Sequence, residues 1–237
     1  MSLLELHGVS KRFGGLMANQ DVSFSVEAGQ IVGLIGPNGA GKTTAFNCVA
    51  GYYTPTAGRI ELDGKTISGL PPEACARAGV GRTFQVARSF TSMTACDNVL
   101  AAALLHQRKV GAARATALQW LAFVNLARFA DKPAGSMTVS EQRRLAVARA
   151  LAIAPKLLLM DEVMAGLNPS EVREMVQVVR AIRDRGIACL IVEHVLEGIM
   201  PIADKIVVLD RGLKIADGTP AEVSRDPAVI SAYLGDA

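Results

Sequence analysis

The sequence predicts an α/β fold whose core is a mostly parallel β-sheet. Residues 31–35 form a continuous apolar run of strand length, typical of a strand covered on both faces, and a glycine-rich turn follows immediately. Three further short apolar runs, at 157–160, 189–192 and 206–209, alternate with helical patterns such as residues 171–185. Alternation of this kind places the strands side by side in a parallel sheet.

Three other stretches differ from this core. Residues 3–9 and 22–26 alternate apolar with polar side chains, which predicts two half-buried strands of an antiparallel patch. Residues 97–152 are rich in alanine and leucine with interspersed arginine, and their helical periodicity predicts a helical insertion. Residues 221–234 are typical of two short amphipathic helices separated at Pro227. We therefore expect one domain with an insertion.

The composition argues against several classes of protein. Hydrophobic residues make up 50% of the 237 residues, but charged residues, at 20%, are spread so evenly that no apolar run approaches the length of a membrane span. The N-terminus lacks the basic start and apolar stretch of a secretory signal, which predicts a cytosolic chain. A net charge of +3 and a single tryptophan argue against a nucleic-acid partner. Four cysteines without zinc or redox spacing are predicted to be free thiols: Cys48, Cys75, Cys96 and Cys189.

A phosphate-binding loop follows the strand at 31–35. Its pattern is G-x-x-x-x-G-K-[ST], in the required order of strand, loop and helix. The glycines let backbone N–H groups converge on phosphate oxygens, while Lys42 neutralises β/γ-phosphate charge and the Thr43 hydroxyl ligates Mg²⁺. The predicted nucleotide-binding residues here are Gly36, Pro37, Asn38, Gly39, Ala40, Gly41, Lys42, Thr43 and Thr44.

Two carboxylates end the apolar strand at 157–160. Asp161 and Glu162 lie at the carboxyl edge of that strand, which is the edge where α/β sheets hold ligands. Asp161 is predicted to hold Mg²⁺ through its water shell, and Glu162 to orient the attacking water as general base. A strand that simply ends in solvated acids is the alternative for this pair alone.

With these motifs in place, the chain resembles an ATP-binding cassette, because further markers of that family occur in order. The resemblance implies that Phe13 stacks on adenine, that Gln85 reaches Mg²⁺ and the attacking water, and that His194 contacts the γ-phosphate. From the residues alone, Phe13 could also be a core aromatic, and a lone histidine at a strand end such as His194 is more often structural.

The signature stretch of the family is altered. The family has Leu-Ser-Gly-Gly-Gln, and residues 137–141 here read Met-Thr-Val-Ser-Glu. Thr138 keeps a hydroxyl that can bond a γ-phosphate, whereas Ser140 replaces a glycine whose bare backbone lets the partner's nucleotide approach closely. Val163 stands where the family usually has proline, and Asn168 where the D-loop usually ends in aspartate.

Four segments are similar to ATPases of branched-chain amino acid uptake systems, namely residues 81–85, 142–145, 165–169 and 232–235. Relatives within this group of ATPases also energise the transport of urea, amides and aromatic acids. Because the ATPase never touches the solute, the transported molecule stays open between these classes.

The resemblance implies a P-loop NTPase (RecA-like) core with an N-terminal antiparallel β subdomain and an inserted helical subdomain. Residues 1–237 would form a single nucleotide-binding domain, with 1–88 and 153–237 as core plus β subdomain and 89–152 as the helical subdomain that carries the signature stretch. ATP and Mg²⁺ are the implied cofactors.

The implied partners are those of a transporter at the cytoplasmic face of the inner membrane. Cassettes of the family pair head to tail, and the altered signature favours a heterodimer with a second ATPase subunit over a homodimer. Two integral membrane permease subunits and, indirectly, a periplasmic solute-binding protein complete the implied system.

Three other interpretations remain. A soluble cassette ATPase in DNA repair or on ribosomes usually carries coiled-coil insertions or two cassettes, and neither occurs here. A weakly hydrolysing regulatory cassette is suggested by the altered signature alone. A P-loop kinase or GTPase would leave Gln85, His194 and the signature-like stretch unexplained.

Overall fold

The computed structural model describes residues 2–83 and 89–234. The strands are β1 (Ser2–Phe13), β2 (Leu16–Glu27), β3 (Ile31–Ile35), β4 (Ala57–Leu62), β5 (Lys65–Thr66), β6 (Val80–Arg82), β7 (Leu157–Asp161), β8 (Ala188–Val192), β9 (Lys205–Asp210) and β10 (Leu213–Gly218). The helices are α1 (Lys42–Val49), α2 (Pro72–Ala78), α3 (Ala95–Ala103), α4 (Val110–Phe123), α5 (Val139–Ala152), α6 (Pro169–Arg183), α7 (Leu196–Ile199), α8 (Pro220–Val223) and α9 (Pro227–Leu234).

The central sheet has the strand order β10-β9-β3-β8-β7-β6. Neighbouring strands from β9 to β6 are parallel, and only β10 runs antiparallel to its neighbour β9. Every residue of β3, β7 and β8 is buried, as expected for strands covered on both faces. The four predicted strands of this sheet are confirmed, and the carboxyl ends of β3, β7 and β8 meet at one edge.

A second sheet, with the order β2-β1-β4-β5, is antiparallel throughout. The predicted strands at 3–9 and 22–26 are confirmed, but each extends to 12 residues and together they form a long hairpin. Phe13 pairs with Leu16 at the hairpin end, so it lies beside the turn rather than in the core.

Two hydrophobic layers cover the central sheet. One packs the inner face of the antiparallel sheet and α1, with Phe46 fully buried, against one face of the central strands. The other packs helices such as α5 and α6 against the opposite face. The sheet is therefore buried on both sides, and only its edges remain available for a ligand.

The predicted helical insertion is present as α3, α4 and α5, which pack on one another. Thr94 caps the N-terminus of α3, and Thr138 and Glu141 form a capping box at α5. The two predicted C-terminal helices are present as α8 and α9, and α9 begins at Pro227. The exact division at 88/89 and 152/153 into subdomains stays a prediction.

The cysteines and the helix lengths agree with the sequence patterns. All four cysteines are buried free thiols, as predicted. Among the helices described, none combines the length and apolar character required to span a bilayer.

Candidate functional site

The loop between β3 and α1 adopts a backbone that requires its glycines. Gly36, Gly39 and Gly41 have φ values of 146°, 81° and 96°, a region that other residues rarely adopt. A Cβ on Gly36 would collide with the Leu209 carbonyl oxygen, and one on Gly41 with the Ala18 carbonyl oxygen. The predicted loop therefore packs closely against the backbones of β9 and β2, which leaves no space for side chains at Gly36 and Gly41.

Two hydrogen bonds hold this loop from both sides. Asn19, fully buried on β2, donates from its amide Nδ2 to the Gly41 carbonyl at 3.1 Å. The Gly212 N–H donates to the Ala40 carbonyl at 3.1 Å. The contact of Asn19 could not be predicted from sequence, because Asn19 lies on a strand whose alternation is interrupted by register shifts.

Lys42 is the first residue of α1 and is only 6% exposed. Its Nζ donates to the Gly36 and Pro37 carbonyls at 2.7 and 2.8 Å. Burial lowers the pKa of Lys42, whereas the charges of Glu162 and Asp161 act to raise it. The loop lysine and the acidic pair after β7 therefore lie close enough to act on each other electrostatically.

Asp161 ends β7 and is 3% exposed. Its backbone N–H donates to the Thr83 hydroxyl at 3.2 Å, and its Oδ2 lies 3.8 Å from Nη2 of Arg82. Burial raises the pKa of Asp161 more than the Arg82 charge lowers it. A buried carboxylate of this kind gains from a nearby cation, which fits the proposed role toward Mg²⁺.

Glu162 has a left-handed backbone with φ 49°, and its N–H donates to the Val192 carbonyl at 2.9 Å. For a residue other than glycine, this conformation costs about 1–2 kcal/mol. The Glu162 side chain reaches the segment after β8, where its Oε1 lies 3.3 Å from His194 Nε2. Strain at this position is consistent with a functional role.

A cavity of about 620 Å³ opens at this edge of the sheet. It brings together most of the predicted site, since its walls include the phosphate loop from residue 38 to 44, Phe13, Glu162 and His194. Arg211, which the sequence analysis did not single out, also lines it. Asp161 is not in the wall, so its role toward Mg²⁺ stays a proposal.

Phe13 is 40% exposed at the mouth of this cavity. Its ring packs edge-on against Tyr53, with centroids 5.0 Å apart, and Lys11 Nζ lies 5.0 Å from the ring centroid. The alternative of a core aromatic is therefore wrong for Phe13. A flat apolar ring at this place fits adenine stacking, which stays a proposal.

Two predicted residues lie away from the cavity. The Thr138 hydroxyl accepts from the Glu141 N–H at 3.2 Å as part of the α5 cap. Ser140 is 4% exposed, and its hydroxyl accepts from Arg144 Nη2 at 3.2 Å. Their contact with a partner's nucleotide stays a prediction. Gln85 lies outside the described residues.

Comparisons with known proteins agree with this arrangement. A family model described as "ABC transporter" matches residues 19–165, and one described as "Branched-chain amino acid ATP-binding cassette transporter" matches residues 214–237.

Individual relatives match nearly the whole chain. The high-affinity branched-chain amino acid transport ATP-binding protein BraF of Pseudomonas aeruginosa is 43% identical, over 99% of this chain and 98% of its own. LivG of Escherichia coli, which carries the same description, is 40% identical over the same shares. The crystal structure of the ADP conformation of MJ1267, an ATP-binding cassette of an ABC transporter, superposes with a TM-score of 0.91 at 29% identity over both full chains.

Proposed function

Because this chain belongs to the ABC transporter family, we propose that it is the ATP-hydrolysing subunit that energises uptake of branched-chain or related amino acids. The observation that carries this proposal is that the phosphate loop, Glu162 and His194 line one and the same cavity at the sheet edge. The amino acid class rests on the match at residues 214–237 and on the names of the relatives.

The phosphate loop and Phe13 account for nucleotide binding in this proposal. Backbone N–H groups at the α1 N-terminus and the Lys42 ammonium hold the β- and γ-phosphates, and Phe13 packs on the adenine ring. The Thr43 hydroxyl and the Asp161 carboxylate are oxygen ligands of the kind that Mg²⁺ prefers. When bound, Mg²⁺ neutralises charge on the phosphate oxygens.

Glu162 is the proposed general base. It takes a proton from water as the water oxygen bonds to the γ-phosphorus, while the bond from that phosphorus to the bridging oxygen breaks and ADP leaves with the electron pair. His194, whose Nε2 lies 3.3 Å from Glu162 Oε1, holds the carboxylate in place and lines the same cavity, where it is proposed to contact the γ-phosphate. Gln85 is proposed to contribute to Mg²⁺ and water positioning.

The proposed assembly is a cassette pair bound at the cytoplasmic face of the membrane to two permease subunits, which receive solute from a periplasmic binding protein. Thr138 and Ser140 of this chain would cover the nucleotide of the second cassette. Because Ser140 replaces a glycine, we propose a heterodimer in which the partner supplies the better signature.

ATP hydrolysis by the purified full-length chain, alone and with the second cassette, tests the proposal. Glu162→Gln should bind MgATP like the wild type but lose most phosphate release, because the amide cannot accept the proton. Glu222→Gln, at the α8 cap outside the cavity, is the matched control. Equal release by Glu162→Gln and wild type would exclude Glu162 as base.

The solute class and the pairing need separate measurements. Proteoliposomes with the complete transporter should take up labelled leucine only with ATP inside, and uptake of urea instead would contradict the amino acid assignment. A self-paired assembly that hydrolyses ATP as fast as the mixed one would argue against the heterodimer.

A further inference from the structure

Glu193 is a buried carboxylate beside the proposed catalytic residues, and it has no role in the proposed hydrolysis step. It follows β8, and β7 and β8 are paired in parallel with Asp161 opposite Val192. The next residues along these strands, Glu162 and Glu193, therefore lie next to each other at the carboxyl edge of the sheet. Glu193 is 1% exposed, so its carboxylate requires partners inside the protein.

The hydrogen-bond partner of this carboxylate comes from the neighbouring segment, after β7. Oε1 of Glu193 accepts from the Met164 N–H at 2.7 Å, in the turn that follows Glu162. The other carboxylate oxygen, Oε2, is buried without a hydrogen-bond partner among the described residues. One side chain thus joins the segment after β7 to the segment after β8.

Both segments carry a group that must be held in place. Glu162 has a strained left-handed backbone, and its Oε1 lies 3.3 Å from His194 Nε2. Met164 is two residues from Glu162, and His194 is directly bonded to Glu193. A shift of either segment would therefore change the distance between the proposed base and the histidine.

We propose that Glu193 is a positioning residue for ATP hydrolysis, whose carboxylate fixes the Glu162 and His194 segments relative to each other. Glu193 does not line the nucleotide cavity, so it acts through these neighbours and not on the nucleotide. This inference rests on the proposed function, in which Glu162 is the general base.

Three variants of the full-length chain test the role. Glu193→Met keeps the side-chain length but has no oxygen to accept the hydrogen bond from the Met164 N–H. Glu193→Ala removes the same acceptor and does not place a long apolar side chain there. Glu193→Gln keeps the oxygen that can accept from Met164. Glu222→Met is the matched control, because Glu222 Oε2 accepts a backbone N–H from Thr219 at 2.8 Å outside the cavity.

Phosphate release gives kcat and KM, fluorescence of a labelled ATP gives the dissociation constant, and circular dichroism shows whether each variant is folded. The Met and Ala variants should lose about tenfold to a hundredfold in kcat, with a dissociation constant for MgATP within about twofold of the wild type. The Gln variant should return to within about threefold of the wild-type kcat, and Glu222→Met should keep it.

A folded Met or Ala variant with the wild-type kcat would overturn the positioning role. A kcat that falls in these variants only when the affinity for ATP falls as well would also overturn it. The same holds if Glu193→Gln has a kcat as low as that of Glu193→Met. If the wild-type chain itself hydrolyses no ATP with its partner cassette, the proposed function fails; wild-type hydrolysis with an unaffected Met variant removes the positioning role alone.

Discussion

Glu193 should lower the free energy of unfolding as the pH rises. In Glu193→Gln, this contribution to the pH dependence of stability should be absent. Burial raises the pKa of Glu193 from its usual 4.5 to about 7, against the lowering effect of the N–H groups of Met164, Val195 and His194. The folded protein therefore binds more protons than the unfolded chain between about pH 4.5 and 7, so stability falls with rising pH in this window.

The size of the effect follows from the two pKa values. The whole shift corresponds to about 3 kcal/mol of unfolding free energy, present below pH 4.5 and lost once the pH has passed 7. Between pH 5.5 and 8, the wild type should lose about 2 kcal/mol relative to Glu193→Gln. Other titrating groups contribute equally to both proteins, so most of their effect cancels in the difference.

Urea unfolding of both proteins at several pH values between 5.5 and 8 measures this difference. The titratable neighbours of Glu193 are Glu162 and His194. The Glu162 charge contributes to the raised pKa, so the pH-dependent difference should shrink in a Glu162→Gln background. A difference between wild type and Glu193→Gln that stays constant with pH would refute the reasoning.

Three further predictions concern the phosphate loop. Lys42→Ala should weaken MgATP binding about tenfold to a hundredfold, because a charge-assisted contact is lost; equal dissociation constants in titration calorimetry would contradict this. Gly36→Ala should cost about 1–3 kcal/mol in urea unfolding, since its Cβ meets the Leu209 carbonyl; an unchanged midpoint would show that the loop can relax. Asn19→Ala should cost about 1–2 kcal/mol and raise KM for ATP, because the bond to the Gly41 carbonyl is lost; a wild-type KM would limit Asn19 to a role in stability.

Much of the fold could be predicted because it depends on local pattern. The strands β3, β7, β8 and β9 are short apolar runs followed by turn or charged residues, and their burial on both faces leaves little ambiguity. The edge strand β10 was missed, since none of its residues is buried and its pairing depends on β9 rather than on its own sequence.

The site residues could be predicted where they belong to a sequence motif with a known chemical role. The phosphate loop and the pair Asp161 and Glu162 are sequence motifs, and the structure brings Lys42 and Glu162 to one cavity. Asn19 and Glu193 could not be found in this way. Each acts through a buried contact with a segment distant in sequence, and only the folded chain shows that contact.

The most direct test of the account is a crystal structure of the Glu162→Gln chain with MgATP. The account predicts one triphosphate held by the loop from residue 36 to 44, with Mg²⁺ between the Thr43 hydroxyl and Asp161 and the γ-phosphate facing residue 162 and His194. Nucleotide bound elsewhere on the chain, or phosphates far from the segment after β7, would contradict it.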